Sequence, residues 1–138
     1  MRAFIITGTS RGIGEALARR LMAPNHLLFC ISRTRNESLI AEAKEKGAVI
    51  HYYEYDLKQT EGLEPLLERI FHQMKPAEMD GIYLVNNAGV LEPIAPLDKC
   101  SANDIVYHVQ INLIAPFILT AAFIRHTADY RAEKRILN

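Results

Sequence analysis

The chain has 138 residues, and its 16 Lys and Arg balance 16 Asp and Glu, so the formal net charge is zero. A neutral chain argues against bulk electrostatic binding to nucleic acid or to an anionic membrane surface. This length predicts one domain with a real core, and the two cysteines, Cys30 and Cys100, offer neither a disulfide framework nor metal-ligand spacing.

The first strand is predicted at residues 2–7, which are apolar on both faces. Such strands are typical of parallel sheets that helices cover on both sides. The apolar run is too short for a signal peptide, and a cytoplasmic protein is expected. A glycine-rich turn follows at 7–14, then a helix that ends before Pro24, then a second strand at 26–32.

A second helix is expected to open with a capping box formed by Thr34 and Glu37. Gly47 suits the C-terminal cap of this helix. Residues 48–55 are rich in β-branched and aromatic side chains and predict the third strand. The tyrosines within that strand are interpreted as packing residues.

The third helix is predicted at about 63–74, with Pro65 in its first turn, and the fourth strand at 81–86. Ser101 and Asp104 open a long fourth helix, about 102–126. Its apolar part, 111–124, holds polar residues and is short for a membrane span, so a buried helix is favoured.

The element order βαβαβαβα predicts an α/β fold: a Rossmann-like, doubly wound parallel sheet with strand order 3-2-1-4. The fourth strand would lie at one edge although it is apolar throughout, and an open apolar edge should normally be paired. Residues 134–138 resemble the start of a fifth strand, which the chain is expected to leave incomplete.

The glycine turn has the pattern Gly-x3-Gly-x-Gly, formed by Gly8, Gly12 and Gly14, between a strand and a helix. This arrangement places a diphosphate at a helix N-terminus, where unpaired N–H groups and the helix dipole face the anion. A glycine-rich turn that binds nothing is the alternative.

Motifs along the whole chain resemble, in order and spacing, the short-chain dehydrogenase/reductase superfamily. The motifs are Thr-Gly-x3-Gly-x-Gly at 7–14, Asp56, Asn86-Asn87-Ala88-Gly89 and Asn112. Within the superfamily, residues 5–16 and 111–116 are similar to bacterial sepiapterin-reductase-like enzymes, including benzil reductases. The resemblance implies an NADP(H)-dependent reductase of small-molecule carbonyl compounds that forms a homo-oligomer in the full-length protein.

Cofactor-binding positions are expected in the turn and at the ends of the strands. They are Gly8, Ser10, Arg11, Gly12, Ile13, Gly14, Ser32, Arg33, Asp56, Leu57, Asn87, Ala88 and Gly89. An acidic side chain after the second strand would bind a free ribose and repel a 2′-phosphate. This chain has Ser32 and Arg33 there, with Arg11 expected nearby, which favours NADP(H). The alternative is that both arginines only solvate a surface.

The resemblance implies that Asp56 accepts a hydrogen bond from the adenine amine, with the Leu57 backbone close by. A cap at the start of a helix is the structural alternative for Asp56. The resemblance also places residues 87–89 against the adenosine-side ribose and the central sheet. A turn that only stabilises the sheet is the alternative there.

Asn112 is predicted to be a polar residue on the apolar stripe Ile105, Val109, Asn112 and Pro116. Pro116 has no N–H, so the Asn112 carbonyl should be released and the helix should kink. The resemblance assigns Asn112 to the catalytic set, in a proton relay that runs through water to a lysine. A simple buried asparagine is the alternative.

The resemblance further implies a catalytic serine and a Tyr-x3-Lys pair, which residues 1–138 are expected to lack. The chain is therefore interpreted as an NADP-binding Rossmann domain, the N-terminal part of a longer single-domain enzyme, and inactive alone. A stand-alone nucleotide-binding or sensing module and a non-catalytic remnant are the alternatives.

Overall fold

Five parallel strands form the centre of the computed structural model, which describes residues 1–138, in the order β3-β2-β1-β4-β5. The strands are β1 (Arg2–Thr7), β2 (His26–Ser32), β3 (Val49–Glu54), β4 (Gly81–Val85) and β5 (Glu133–Leu137). The predicted order 3-2-1-4 is confirmed. The expected open edge at β4 is wrong, because β5 pairs with it from Gly81↔Glu133 to Val85↔Leu137, along its whole length.

Five α-helices and one π-helical turn connect and cover these strands. They are α1 (Gly12–Arg20), α2 (Glu37–Glu45), α3 (Leu63–Phe71), α4 (Ala102–Val109), the π turn (Gln110–Ile114) and α5 (Ala115–His126). Short 3-10 turns lie at Thr60–Gly62, Pro76–Glu78 and Leu97–Lys99. The third helix ends three residues before its predicted end.

The two faces of the sheet bury separate cores, which explains why the strands are apolar throughout. Ala3 and Ile5 of β1 face the larger core, which α3 and α5 complete. Phe4 and Ile6 face the smaller core with α1 and α2, which also holds Cys30. Burial raises the pKa of the Cys30 thiol to about 12, as expected for a cysteine that acts as a small apolar side chain.

The helix caps follow the sequence predictions with one exception. The Asn36 side chain accepts a hydrogen bond from the Leu39 N–H at 3.0 Å, so Asn36 caps α2 and the predicted Thr34–Glu37 capping box is wrong. Gly47 follows α2 with a φ of +65°, as its capping role requires. The capping box of Ser101 and Asp104 at the start of α4 is present.

The predicted fourth helix is interrupted by the π turn, which contains Asn112 and ends two residues before Pro116. The prediction that this stripe is the buried face of the helix is wrong. Ile105 is 43% exposed, Val109 is 41% exposed, and Asn112 is exposed as well. Ile111, Ala115, Leu119 and Ala122 face the core instead.

The stretch Ala102–His126 is long and apolar enough to cross a membrane by length and composition, with a mean hydropathy of 1.6. Its buried side chains pack with those of α3 in the larger core. Only 22% of the apolar stretch is buried, so this packing accounts for part of its apolar composition.

Candidate functional site

A crevice of about 350 Å³ opens at the carboxyl ends of β1, β2 and β4, beside the start of α1. The strand connections change direction between β1 and β4, and open α/β sheets bind ligands at such a point. The volume lies within the range of small-molecule sites, about 300–1,000 Å³.

The crevice brings together the predicted cofactor-binding residues from four separate parts of the chain. It is lined by Gly8, Ser10, Arg11, Gly12, Ile13, Ser32, Arg33, Asp56, Leu57, Asn87, Ala88 and Gly89. Of the predicted set, only Gly14 does not line it. The prediction missed Ile31, Tyr55, Val90, Tyr107 and Ile111. The spacing of Tyr107 and Ile111, four residues apart on one helix face, is a signal that could have indicated these two.

Close packing behind the glycine turn explains two of its three glycines. A Cβ on Gly14 would lie 2.3 Å from the Gly8 carbonyl oxygen, and one on Gly8 would lie 2.9 Å from the Cα of Ala88. Gly12 has a φ of +62°, and a Cβ there would meet no atom within 4 Å. The turn therefore packs against β4 on one side and faces open space at Gly12, where α1 begins.

Thr7 joins the ends of β1 and β4, a role the sequence analysis missed. Its Oγ1 accepts hydrogen bonds from the backbone N–H groups of Asn87 and Ala88, each at 3.0 Å, and donates to the Val85 carbonyl at 3.4 Å. The Asn87 side chain adds bonds to the Thr7 and Gly8 carbonyls. A hydroxyl in an otherwise apolar strand is the signal that could have indicated Thr7.

Asp56 lies in the loop after β3 and both lines the crevice and stabilises a turn. Its carboxylate accepts from the Lys58 N–H at 3.0 Å, and its carbonyl accepts from the Gln59 N–H at 2.9 Å. Asp56 therefore stabilises a turn but does not cap a helix, because the following helices have Gln59 and Gly62 as their N-cap residues. The two roles are compatible, since the N–H bond uses one carboxylate oxygen.

Two guanidinium groups border the crevice without an acidic partner. Arg11 and Arg33 are both exposed, and neither takes part in a salt bridge. The Ser32 side chain is buried, and its hydroxyl donates to the Thr34 carbonyl at 2.9 Å. The glycine turn and the end of β2 thus together offer two free cations and a neutral serine to a ligand.

Asn112 lies beside the crevice rather than in its lining. Its side-chain amide donates to the Val90 carbonyl at 2.8 Å and accepts from the Val90 N–H at 2.9 Å. Asn112 therefore fixes the backbone that follows Gly89. Its part in a proton relay stays a prediction.

The expectation that the chain lacks a Tyr-x3-Lys spacing is wrong, because Tyr130 and Lys134 have it. Their placement does not suit the chemistry, however. Tyr130 is buried in the core against Phe71, and burial raises its pKa, whereas a tyrosine acid needs a lowered one. Lys134 is opposite Ile82 near the amino end of β4, away from the carboxyl ends that border the crevice.

Comparison with known proteins matches residues 2–138 to a family profile described as short chain dehydrogenase. The chain is 36% identical to a benzil reductase ((S)-benzoin forming) of Bacillus cereus over 138 residues, which cover 100% of this chain and 55% of that protein. It is 27% identical to a sepiapterin reductase of Xenopus laevis over 131 residues, 88% of this chain and 49% of that protein.

A solved structure of an alcohol dehydrogenase from Thermococcus sibiricus, complexed with 5-hydroxy-NADP, superposes with a TM-score of 0.83 and 26% identity. The match covers 99% of this chain and 57% of that one.

The resemblance to benzil and sepiapterin reductases is confirmed by the sequence identities to these two relatives. The chain spans about half the length of the curated relatives it matches.

Proposed function

Because the chain belongs to the short-chain dehydrogenase family, we propose that it is the NADP(H)-binding part of a carbonyl reductase. The substrate would be a small ketone, a diketone or the side chain of a pterin. Residues 1–138 then form the N-terminal part of a longer single-domain enzyme. The observation that carries the choice of cofactor is the pair of unpaired guanidinium groups, Arg11 and Arg33, beside a serine at the end of β2.

The crevice fits a dinucleotide in three respects. The glycine turn leaves no room for a Cβ at Gly14, so the start of α1 lies close to the strand ends. The open space at Gly12 leaves the first N–H groups of α1 accessible to a diphosphate. The volume of about 350 Å³ is sufficient for much of a ligand of that class.

Each part of the crevice has a proposed role in holding the cofactor. Arg11 and Arg33 would bind the 2′-phosphate, and the Asp56 carboxylate would accept from the adenine amine, beside the Leu57 backbone. Residues 87–89 would lie against the adenosine-side ribose. The bound cofactor supplies the hydride that reduces the carbonyl. The Asn112 carbonyl would hold a water of the proton relay.

Replacing Arg33 with alanine is expected to weaken NADPH binding about tenfold or more, because a charge-assisted contact to the 2′-phosphate is lost. NADH binding should stay nearly unchanged. Fluorescence titration of the chain with each cofactor measures both constants. Arg35→Ala is the matched control, since Arg35 is exposed nearby, pairs with Glu37 and does not line the crevice. Equal losses for both cofactors would contradict the assignment to NADP(H).

We expect the 138-residue chain to bind NADPH but to have no measurable reductase activity. Its one Tyr-x3-Lys pair lies in the core and near the amino end of β4, so no tyrosine–lysine acid pair serves the crevice. The measurement is NADPH consumption with an aromatic diketone, after a titration of the same sample has established binding. Turnover of the diketone would contradict this expectation.

The longer enzyme is proposed to be a cytoplasmic homo-oligomer. Exposed apolar side chains along α4, the π turn and α5 support self-association, since monomers rarely leave so many together in water. They include Val106, Leu113, Phe117 and Ile124.

A further inference from the structure

Three hydroxyl groups meet behind the turn that follows β2. Tyr52 lies on β3, opposite Cys30 of β2, and its ring packs against the smaller core. Its hydroxyl lies 2.5 Å from the Ser32 Oγ, 3.1 Å from the Thr34 carbonyl oxygen and 3.3 Å from the Thr9 Oγ1. The tyrosine hydroxyl thus connects the glycine turn to the end of β2.

The donors and acceptors of this cluster satisfy one another. Thr9 donates to the Tyr52 hydroxyl, Tyr52 donates to the Thr34 carbonyl, and Ser32 can donate to Tyr52 or to the same carbonyl. Thr9 is 0% exposed and Ser32 is 6% exposed, so neither hydroxyl can replace a lost partner easily with bulk water. The cluster therefore has a strong preference for one arrangement of residues 32–34.

The residue enclosed by this arrangement is Arg33. Ser32 and Thr34, its two neighbours, are both bonded to the Tyr52 hydroxyl, while the Arg33 side chain has no salt bridge of its own. A long, flexible side chain without a partner takes its direction from its backbone. The Tyr52 hydroxyl therefore helps to hold the backbone at Arg33, together with the Ser32 bond to the Thr34 carbonyl and the Tyr55 N–H bond to the Ser32 carbonyl.

We propose that Tyr52 is a positioning residue that sets the preference for a 2′-phosphorylated nucleotide by directing Arg33 toward the crevice. The inference rests on the proposed NADP(H) site, and it adds a determinant that does not itself line the crevice. Without the tyrosine hydroxyl, residues 32–34 can take several arrangements, and ordering them on binding reduces affinity for the 2′-phosphate alone.

The adjacent tyrosine provides a matched control. Tyr53 points to the opposite face of the sheet, where its ring packs against the larger core and lies below the Arg69 guanidinium. Its hydroxyl makes none of the contacts described for Tyr52. Tyr53→Phe therefore removes the same atom from the same strand without touching the cluster.

The test measures the binding of 2′,5′-ADP and 5′-AMP to the chain by calorimetry, because these two probes differ only in the 2′-phosphate. Tyr52→Phe is expected to weaken 2′,5′-ADP binding about three- to tenfold, as the loss of one or two hydrogen bonds predicts. Binding of 5′-AMP should change less than about twofold, and Tyr53→Phe should match the unchanged chain for both probes.

A double-mutant cycle keeps the test decisive. In a Ser32→Ala background, Tyr52→Phe should have a smaller effect on 2′,5′-ADP than in the unchanged chain, because the contact through Ser32 is already lost and only the bond to the Thr34 carbonyl remains. Circular dichroism and a urea titration establish that each variant is folded. If Tyr52→Phe alone does not fold, Thr9→Val removes a partner of the same hydroxyl and must lower the preference for 2′,5′-ADP.

Three outcomes would overturn the proposal. They are an unchanged preference in Tyr52→Phe, equal losses for both probes, and additive losses in the cycle. If the unchanged chain itself binds 2′,5′-ADP no better than 5′-AMP, the proposed NADP(H) function fails first. If that preference exists but survives in Tyr52→Phe, the proposed function stands and the role of Tyr52 is refuted.

Discussion

Gly14→Ala is expected to abolish nucleotide binding and to lower the free energy of unfolding by about 2–3 kcal/mol. The new Cβ would lie 2.3 Å from the Gly8 carbonyl oxygen and 2.5 Å from the Asn87 Nδ2. The oxygen belongs to backbone, and the Asn87 amide is held by bonds to two carbonyls, so neither can move without reshaping the turn. The start of α1 would shift away from the strand ends. Urea denaturation and an NADPH titration measure the two effects.

Gly47→Ala separates this steric effect from the general cost of replacing a glycine. Gly47 has a φ of +65°, but a Cβ there would meet no atom within 4 Å, and the residue lies after α2, outside the crevice. The variant should lose about 1–2 kcal/mol from backbone strain and bind NADPH as before. If Gly14→Ala also bound NADPH normally, the close packing of the turn would not be needed for the site.

Thr7→Val is expected to lower the free energy of unfolding by about 2–4 kcal/mol although it keeps the shape of the side chain. The threonine Oγ1 is the acceptor for two backbone N–H groups, of Asn87 and Ala88, at a residue that is 1% exposed. Valine would leave both donors without that partner, and buried unsatisfied donors cost about 1–3 kcal/mol each. The measurement is a urea titration followed by circular dichroism.

Thr127→Val is the matched control for this experiment. Thr127 is 2% exposed, but its hydroxyl only donates to carbonyls of the preceding helical turn, of Phe123 and Ile124. The Phe123 carbonyl also accepts from the Thr127 backbone N–H, so it keeps a partner. A loss below about 1 kcal/mol is expected. Similar losses in the two valine variants would refute the special role of Thr7.

The strands and the crevice could be predicted because their signals are local and repeat along the chain. Residues 2–7 and 26–32 were assigned with the bounds that the structure has, since an apolar run between turn residues leaves few alternatives. The strand order followed from the alternation of strands and helices. Because parallel strands end at one edge, the residues after them could be expected to meet in one crevice.

What the sequence could not predict depends on contacts between distant residues. Asn36 caps α2 rather than Thr34, whose carbonyl is instead used by Ser32 and Tyr52. The buried face lies at Ile111 and Ala115, one position before Asn112 and Pro116, and α4 ahead of the π turn buries no side chain. A Tyr-x3-Lys spacing in the sequence likewise does not show whether the tyrosine and the lysine lie at the strand ends that border the crevice.

The position of β1 in the middle of the sheet has a consequence for synthesis on the ribosome. β1 is made first, and β2 can pair with it after a short crossover, but its other neighbour begins only at Gly81, which pairs with Arg2. At about 5–20 residues per second, the emerging chain spends roughly 4–16 seconds with one edge of β1 uncovered. During that interval the hydrophobic strand is a binding target for chaperones and a starting point for aggregation. Completing β4 and closing the Thr7 bonds to Asn87 and Ala88 ends this exposure.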